Sequence, residues 1–510
     1  MKHRSMKVLT LGSALIGLTA MLMASGASAP DKVVIWAPGD NGNVKDWKTD
    51  VVLNAVEKAT NTNIEVVKIG WDVYSDRVNA AVAAGKVPDI ISQIDHNNRT
   101  LIAQLARDGV IAPYEGAVAA AAPNVLAQYK KDPALNALKV NGKIYGQPVF
   151  WDQGQTGFSN VVHVRKDILV KLKMAPPSTF EQFGKYLASC QKTLNLTGMV
   201  FNGKEEGTLT TDMFVLSGAW GVTPGWVKTA DGWQFANTQP GMKSALLTMQ
   251  KWAAAGQLDP VSWESDQDAA RARFVSGKSC ALLFNGGGHI GRIQNDMNLL
   301  NKGYQEWVLP ALSAGNKTRG YPVGPAFWAE TFLGNLKGNN PVAAARVINY
   351  LASKEGLKLT AVGIEGRDYA MQNGEIVLNN ENRAKDGFPA AAGDTGAHPL
   401  ATPIVSWVPQ EWQDFQLMYG HDKAFKSWYG QMWANMRRFK IVSYGSLTTS
   451  PAWTKFAATS ADLTNRAFVE IIKSSGVADA GAKFDQYVKD WKAQGGEVAT
   501  AEMDKAISGK

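Results

Sequence analysis

The apolar positions of this chain change period repeatedly, from consecutive runs to a three-to-four spacing and back. Val33-Val34-Ile35-Trp36 is an unbroken apolar run that predicts a buried strand, with Asp40-Asn41-Gly42-Asn43 as the turn beyond it. Trp47, Val51, Val52, Ala55 and Val56 then share one helical face that ends near Asn61. A second strand is predicted over 64–69, a helix closed by Gly85 over 74–84, and a third strand over 90–94 running into Asp95-His96-Asn97-Asn98. Residues 101–107 are helical before Gly109. A second region of the same kind opens near Val161, with helices over 168–172 and 179–190 parted by Pro176-Pro177. Further helices come over 213–219 and 242–255, then a short buried strand over 281–284. Residues 341–353 form an amphipathic helix, and the tail predicts helices over 412–436, 463–472 and 484–491. Strands alternating with helices imply an α/β architecture of mostly parallel sheets with helices on both faces.

The first 29 residues do not fit this alternation. Lys2, Arg4 and Lys7 precede an uncharged apolar stretch over 8–23, and Ala24-Ser25-Gly26-Ala27-Ser28-Ala29 supplies small side chains. That order is a secretory signal peptide, and the run is short of the roughly 20 residues a spanning helix needs. Cleavage after Ala27 or after Ala29 both fit, Pro30 disfavouring the second. No cysteine stands at the exit to take a lipid, so a free periplasmic protein is expected.

About 480 residues remain, room for two or three domains. A hydrophobic share of 45% and a charged share of 19% belong to a well-buried globular chain. The formal charge of +8 falls to +5 without the three leader cations. With no Lys/Arg block, nucleic acid is not an indicated partner, while acidic small ligands stay open. Cys190 and Cys280 are the two cysteines, and either a disulfide or two buried thiols is consistent with them. Two cysteines and six scattered histidines offer no metal spacing, so no metal or other cofactor is expected.

Tryptophan is the outlier, at 17, with 13 Tyr and 18 Phe. Trp36, Trp47, Trp71, Trp151, Trp226, Trp328, Trp407 and Trp412 stand beside turn residues rather than inside apolar runs. An indole has a flat apolar face and one N–H donor, which suits the C–H face of a sugar ring. Trp428, Trp433, Trp453 and Trp491 fall at helical spacing and read as core. Ligands of open α/β sheets gather at the carboxyl ends of strands, which here carry Trp36, Asp40, Trp71, Asp95 and His96. Asp95 offers two acceptors in a fixed plane for sugar hydroxyls, or else a cap for the next helix. The run Gly286-x-Gly288-x-x-Gly291 matches a dinucleotide fingerprint, but far from the first βαβ unit where one belongs. It reads better as a loop open to a ligand, with Asn285 and His289 as contacts. Asp40-x-x-Asn43-x-x-Asp46 lacks the glutamate that would complete a calcium loop.

Several ordered segments resemble the extracellular solute-binding proteins that serve ABC importers. Ala84-Gly85-Lys86-Val87-Pro88-Asp89-Ile90-Ile91 resembles their G-x-x-P-D segment, and Gly142-Lys143-Ile144-Tyr145-Gly146-Gln147-Pro148 their G-K-x-Y-G-x-P stretch. Val164-Arg165-Lys166-Asp167-Ile168-Leu169 with Pro176-Pro177-Ser178-Thr179-Phe180-Glu181 is similar to a further element, as is Phe274-Val275-Ser276-Gly277-Lys278 before its strand. Size, tail, Glu411-Trp412-Gln413-Asp414 and Gly363-Ile364-Glu365-Gly366-Arg367-Asp368-Tyr369 resemble the long alginate-oligosaccharide-binding and lipoprotein-like members. Two features of those members are missing: a calcium loop after the helix over 179–190, and a tryptophan after the strand over 281–284.

The resemblance implies the two-lobe periplasmic-binding-protein fold of type II, mixed sheets flanked by helices with a ligand cleft between lobes. Residues 30–156 plus 325–400 would form the N-terminal lobe, and 157–324 plus 401–510 the C-terminal lobe. Crossings are expected near 154–159, 321–327 and 398–403. Those crossings bring Trp151, Asp152, Trp328, Trp407 and Trp412 to the cleft beside the strand-end residues. The implied function is capture of a saccharide, neutral or acidic, by a monomer that hands it to ABC permease subunits. Two alternatives are a binder for a non-sugar solute and a secreted hydrolase or lyase. Glycoside hydrolysis needs two carboxyls about 5–5.5 or 6.5–9.5 Å apart. Asp95, Asp152, Glu264, Asp266, Glu411 and Asp414 are the available acids. No nucleophile elbow, zinc signature or phosphate loop supports catalysis, so a non-enzyme is expected.

Overall fold

The computed structural model describes residues 29–508 apart from 39–43, 96–97, 151–159, 205–206, 287–288, 302, 316–319, 324–326, 389–396, 405–426, 429, 431–433, 435–437 and 443–447. Its strands are β1 (Asp31–Pro38), β2 (Thr62–Ile69), β3 (Ile90–Asp95), β4 (Gly146–Phe150), β5 (Asn160–Arg165), β6 (Thr197–Phe201), β7 (Trp226–Thr229), β8 (Gly232–Phe235), β9 (Ser279–Asn285), β10 (Glu306–Val308), β11 (Tyr321–Val323), β12 (Phe327–Leu333), β13 (Tyr369–Gln372), β14 (Glu375–Leu378) and β15 (Lys440–Val442). Two of the sheets organise the molecule, one of order β2-β1-β3-β12-β4 and one of order β10-β5-β9-β6. Helices flank both, and each sheet has its own hydrophobic core.

β1, β2 and β3 are parallel, as the alternation predicts, but β12 runs antiparallel to both β3 and β4. The reason is connectivity: β12 comes back from the second sheet, so no same-sheet helical crossover fixes its direction. The predicted helix from Trp47 to Asn61 is also two pieces. A short 3-10 turn at Trp47–Thr49 stops at Asp50, whose side chain accepts from Leu53 N (2.6 Å) and starts the helix Val51–Thr60. The tail helix is longer than its apolar spacing indicates, Pro451–Ile472, because the polar Ser460 and Thr464 are buried too.

The first core joins the helices Val51–Thr60 and Pro341–Leu351 to β1, and extends to Leu400, Ala401 and Ile404. The second core is shared by the helices Phe180–Leu194 and Pro240–Ala254 and the tail helices Pro451–Ile472 and Val477–Trp491. Trp491 is buried there, stacked on Phe235 at 5.0 Å, and its Nε1 donates to Ser460 Oγ at 2.7 Å. Cys190 and Cys280 are free buried thiols in the same core, each beside the other, and burial pushes the Cys280 thiol up.

The segments that carry the family resemblance hold the fold together. Asp89 accepts from Val34 N (2.8 Å) and Asn340 N (2.9 Å), tying β1 to the start of the helix Pro341–Leu351. Gly146 cannot be larger, since a Cβ there would lie 2.5 Å from Glu330 Oε1. Glu330 is buried on β12 and paired with the equally buried Arg99. Asp167 takes a two-pronged bond from Arg165 (2.8 and 2.6 Å), and Thr179 caps the helix Phe180–Leu194 through Gln182 N.

Register places the joints between the sheets. Phe150 at the end of β4 pairs with Phe327 at the start of β12, on the edge where β3 ends at Asp95. Asn160 at the start of β5 pairs with Asn285 at the end of β9. Phe150 N also donates to Ile404 O (3.2 Å) and Tyr321 Oη to Asn160 O (3.0 Å). The chain therefore leaves each sheet from the end where β3 and β9 finish, and β11 pairs with β15 along the way.

Candidate ligand-binding site

At the carboxyl end of β3 lies a half-open hollow of about 230 Å³. Its floor is the buried Gln93 with Ile94; its rim carries the exposed Asp95 and Asn98, and Trp328 of β12 closes one side. The helix Trp71–Ala83 forms the opposite wall with Tyr74 and Val78 buried, Ser75 and Asn79 exposed. Strand alternation accounts for Trp328: Phe327 and Ala329 are buried on one face, and the intervening indole stands half-buried on the other.

Gln93 is held in an unusual backbone state. Its φ of 57° lies in the left-handed region, which a non-glycine residue occupies at a cost of about 1–3 kcal/mol. The strain coincides with a bulge, since the β3–β12 register shifts between Glu330 and Phe332. Gln93 N donates to Thr331 Oγ1 (3.2 Å) and Gln93 Nε2 to Thr402 O (2.8 Å), while its Oε1 is buried without a partner. The bulge re-aims the last residues of β3, and the carboxamide ties the floor of the hollow to the segment that leaves the first core. Beneath it, Tyr74 Oη donates to Ser92 O (2.5 Å), and burial holds the phenol well above its ordinary range.

The other sheet end is set by a buried chain of hydrogen bonds. His163 Nε2 donates to Asn285 O (3.0 Å), which leaves Nδ1 to accept from the Glu306 carboxyl (2.6 Å). Burial lowers His163 to about 4 and raises Glu306 well above the usual carboxyl range, so both are neutral. Nearby, Asn160 donates to the buried Asp212, whose carboxyl burial likewise pushes up.

The candidate residues of the sequence fall into three groups. Asp95 and Trp328 meet in the hollow. Trp36 is half-buried on β1 against the cluster containing Tyr74 and Ile94. Trp71 opens the helix Trp71–Ala83, Asn285 ends β9, and His289 opens the helix His289–Leu300. Asp40, His96, Trp151, Asp152, Trp407 and Trp412 lie outside the described residues. Two of the turn-adjacent tryptophans have packing roles: Trp226 is buried in the second core against Trp453, and Trp47 sits edge-on to His398. Asp266 caps its own helix through Ala269 N (2.9 Å). Sequence reasoning misses Tyr74, Ser75, Asn79, Gln93 and Asn98, although the polar pair Ser92-Gln93 between Ile91 and Ile94 of the predicted strand is a readable signal.

Two α/β lobes joined on the side where β3 and β9 finish, with a hollow at the end of β3, define a two-lobed binding protein of the solute-capture type. The sequence model of the bacterial extracellular solute-binding proteins matches residues 52–367, and the chain belongs to that family. A curated relative, the polygalacturonan/rhamnogalacturonan-binding protein YtcQ of Bacillus subtilis, is 28% identical over 186 residues, 34% of each chain. The chain thus matches about a third of that relative's length. Among solved structures, the alginate-binding protein AlgQ2 without calcium ion superposes with a TM-score of 0.72 at 15% identity, covering 94% of this chain and 98% of that one. An HMO-binding, ABC-transporter-associated solute-binding protein of Bifidobacterium longum infantis gives 0.70 at 16%, covering 94% and 99% of the two chains. The ABC-transporter substrate-binding protein FusA of S. pneumoniae with kestose gives 0.68 at 17%, covering 94% and 99%. At these identities the likeness establishes the fold.

Proposed function

We propose that this chain is exported through its first 29 residues and captures a saccharide between its two lobes, delivering it unchanged to an ABC permease. The observation that carries the reading is the hollow where Asp95 and Trp328 meet, at a strand end beside the joints between the sheets. An indole face and a carboxylate are what one face and one edge of a sugar ring need. The names of the relatives support the ligand class: polygalacturonan and rhamnogalacturonan, alginate, HMO and kestose are all saccharides. The lobes would be 30–156 plus 325–400 and 157–324 plus 401–510, except that Ala401 and Ile404 pack in the first core and so move that boundary past 404. A ligand touching both lobes favours the closed arrangement by its extra contacts there. Binding without turnover is supported by relatives that are named as binding proteins.

Titration calorimetry of the mature protein with neutral and uronic-acid oligosaccharides, and a product assay on the same samples, tests this. Saturable binding with unaltered sugar is the expected result. Released product would replace the binder with a carbohydrate-active enzyme, and binding of a non-sugar solute alone would remove the ligand class.

A further inference from the structure

The hollow beside Trp328 has a chemical bias that the saccharide reading leaves open. Resting on that reading, we propose that the hollow is a specificity subsite that seats one uncharged sugar ring and turns away a uronate. Its volume of about 230 Å³ is below the roughly 300–1,000 Å³ of pockets that enclose whole drug-sized ligands, so it has room for about one ring, the rest of a chain lying outside its half-open mouth. Among the described residues that line it there is no Lys, Arg or His. The charged residue there is Asp95, and the remaining polar groups are neutral: Ser75, Asn79, Gln93 and Asn98.

The cation nearest in sequence is already committed. Arg99 comes directly after Asn98 but is buried, with its guanidinium held by Glu330 and by Leu138 O (2.6 Å). Among the described lining residues a uronate carboxylate would find no countercharge to offset the water it loses, and it would lie beside the Asp95 carboxylate. Ring hydroxyls meet none of that cost: they donate to the Asp95 carboxylate while the C–H face covers Trp328. The net positive charge of the chain does not bear on this, because the sign that counts is the local one.

The test compares trigalacturonate with its methyl ester, which differ in charge and not in linkage, with kestose as a neutral third probe. Calorimetry at pH 8, where an ordinary histidine is neutral, keeps imidazolium out of the comparison. The wild type is expected to bind the ester about tenfold or more tightly than the acid. Trp328→Ala should weaken both about equally. Asn79→Lys places a cation on the exposed wall of the hollow, at a helical position that tolerates lysine, and should recover about fivefold for the acid alone. Acid binding as tight as ester, or an acid-to-ester ratio that Asn79→Lys does not move, would overturn the subsite and leave the saccharide reading standing. Binding of other oligosaccharides but none of these three would overturn the subsite alone, and a folded protein that binds no saccharide would remove both.

Discussion

A half-buried tryptophan beside an exposed aspartate is an arrangement of side chains rather than a motif, and sequence conveys it only in part. Trp328 and Asp95 are 233 positions apart in number, yet each is recognisable alone, one as a turn-adjacent indole and the other as a strand-end acid. Their meeting depends on β12 lying next to β3, a pairing no local pattern encodes. Replacing Trp328 by Ala should weaken saccharide binding about fivefold to tenfold, read by calorimetry, and should also cost some stability because the ring is partly buried. His163 is a second residue-scale case, since nothing in Val161-Val162-His163-Val164 distinguishes a relay from a core histidine. Its folded pKa of about 4 lies below the ordinary value of 6.5, so the unfolded chain takes up the proton first as pH falls. The stability gained by keeping it neutral is fully present above about 6.5 and is lost as pH falls from there toward about 4. Urea unfolding at pH 7 and pH 5 should show the wild type losing about 2 kcal/mol more than His163→Asn over that interval.

At the scale of elements, most strands and helices follow from apolar periodicity, and the exceptions have identifiable causes. The break at Asp50 is hidden in the sequence because Trp47, Val51 and Val52 keep a helical spacing across it. Asp50 also accepts from His398 Nε2 (3.0 Å), so it caps a helix and holds the segment leading to Ile404. Asp50→Ala should therefore cost about 2–3 kcal/mol, more than a cap alone, as measured by chemical denaturation. The bulge at Gln93 is not legible, because a strand with the polar interior pair Ser92-Gln93 looks the same whether straight or bulged. The segments that carry the family resemblance, around Asp89, Gly146, Asp167 and Thr179, serve packing and capping. That is why they identify the family without identifying the ligand. The tail helices fill the second core with Phe468, Ile471, Phe484 and Trp491, so deletion from residue 451 should leave that lobe without native near-UV circular dichroism.

For the whole molecule, two sheets with separate cores are joined at the ends where β3 and β9 finish, and that geometry makes closure on a ligand mechanically direct. Scattering measurements should show the radius of gyration contracting on saccharide addition, toward the roughly 23 Å of a compact chain of about 480 residues. We propose that Trp151, Asp152, Trp407 and Trp412, which lie outside the described residues, meet the opposite face of the ligand. The central claim is that a sugar ring sits over Trp328 with its hydroxyls on Asp95, between the two lobes. A crystal structure of the protein grown with its tightest-binding trisaccharide tests it most directly. The expected result is a ring stacked on that indole with the second lobe closed over it. A saccharide bound elsewhere, with the hollow beside Trp328 filled only by water, would contradict it.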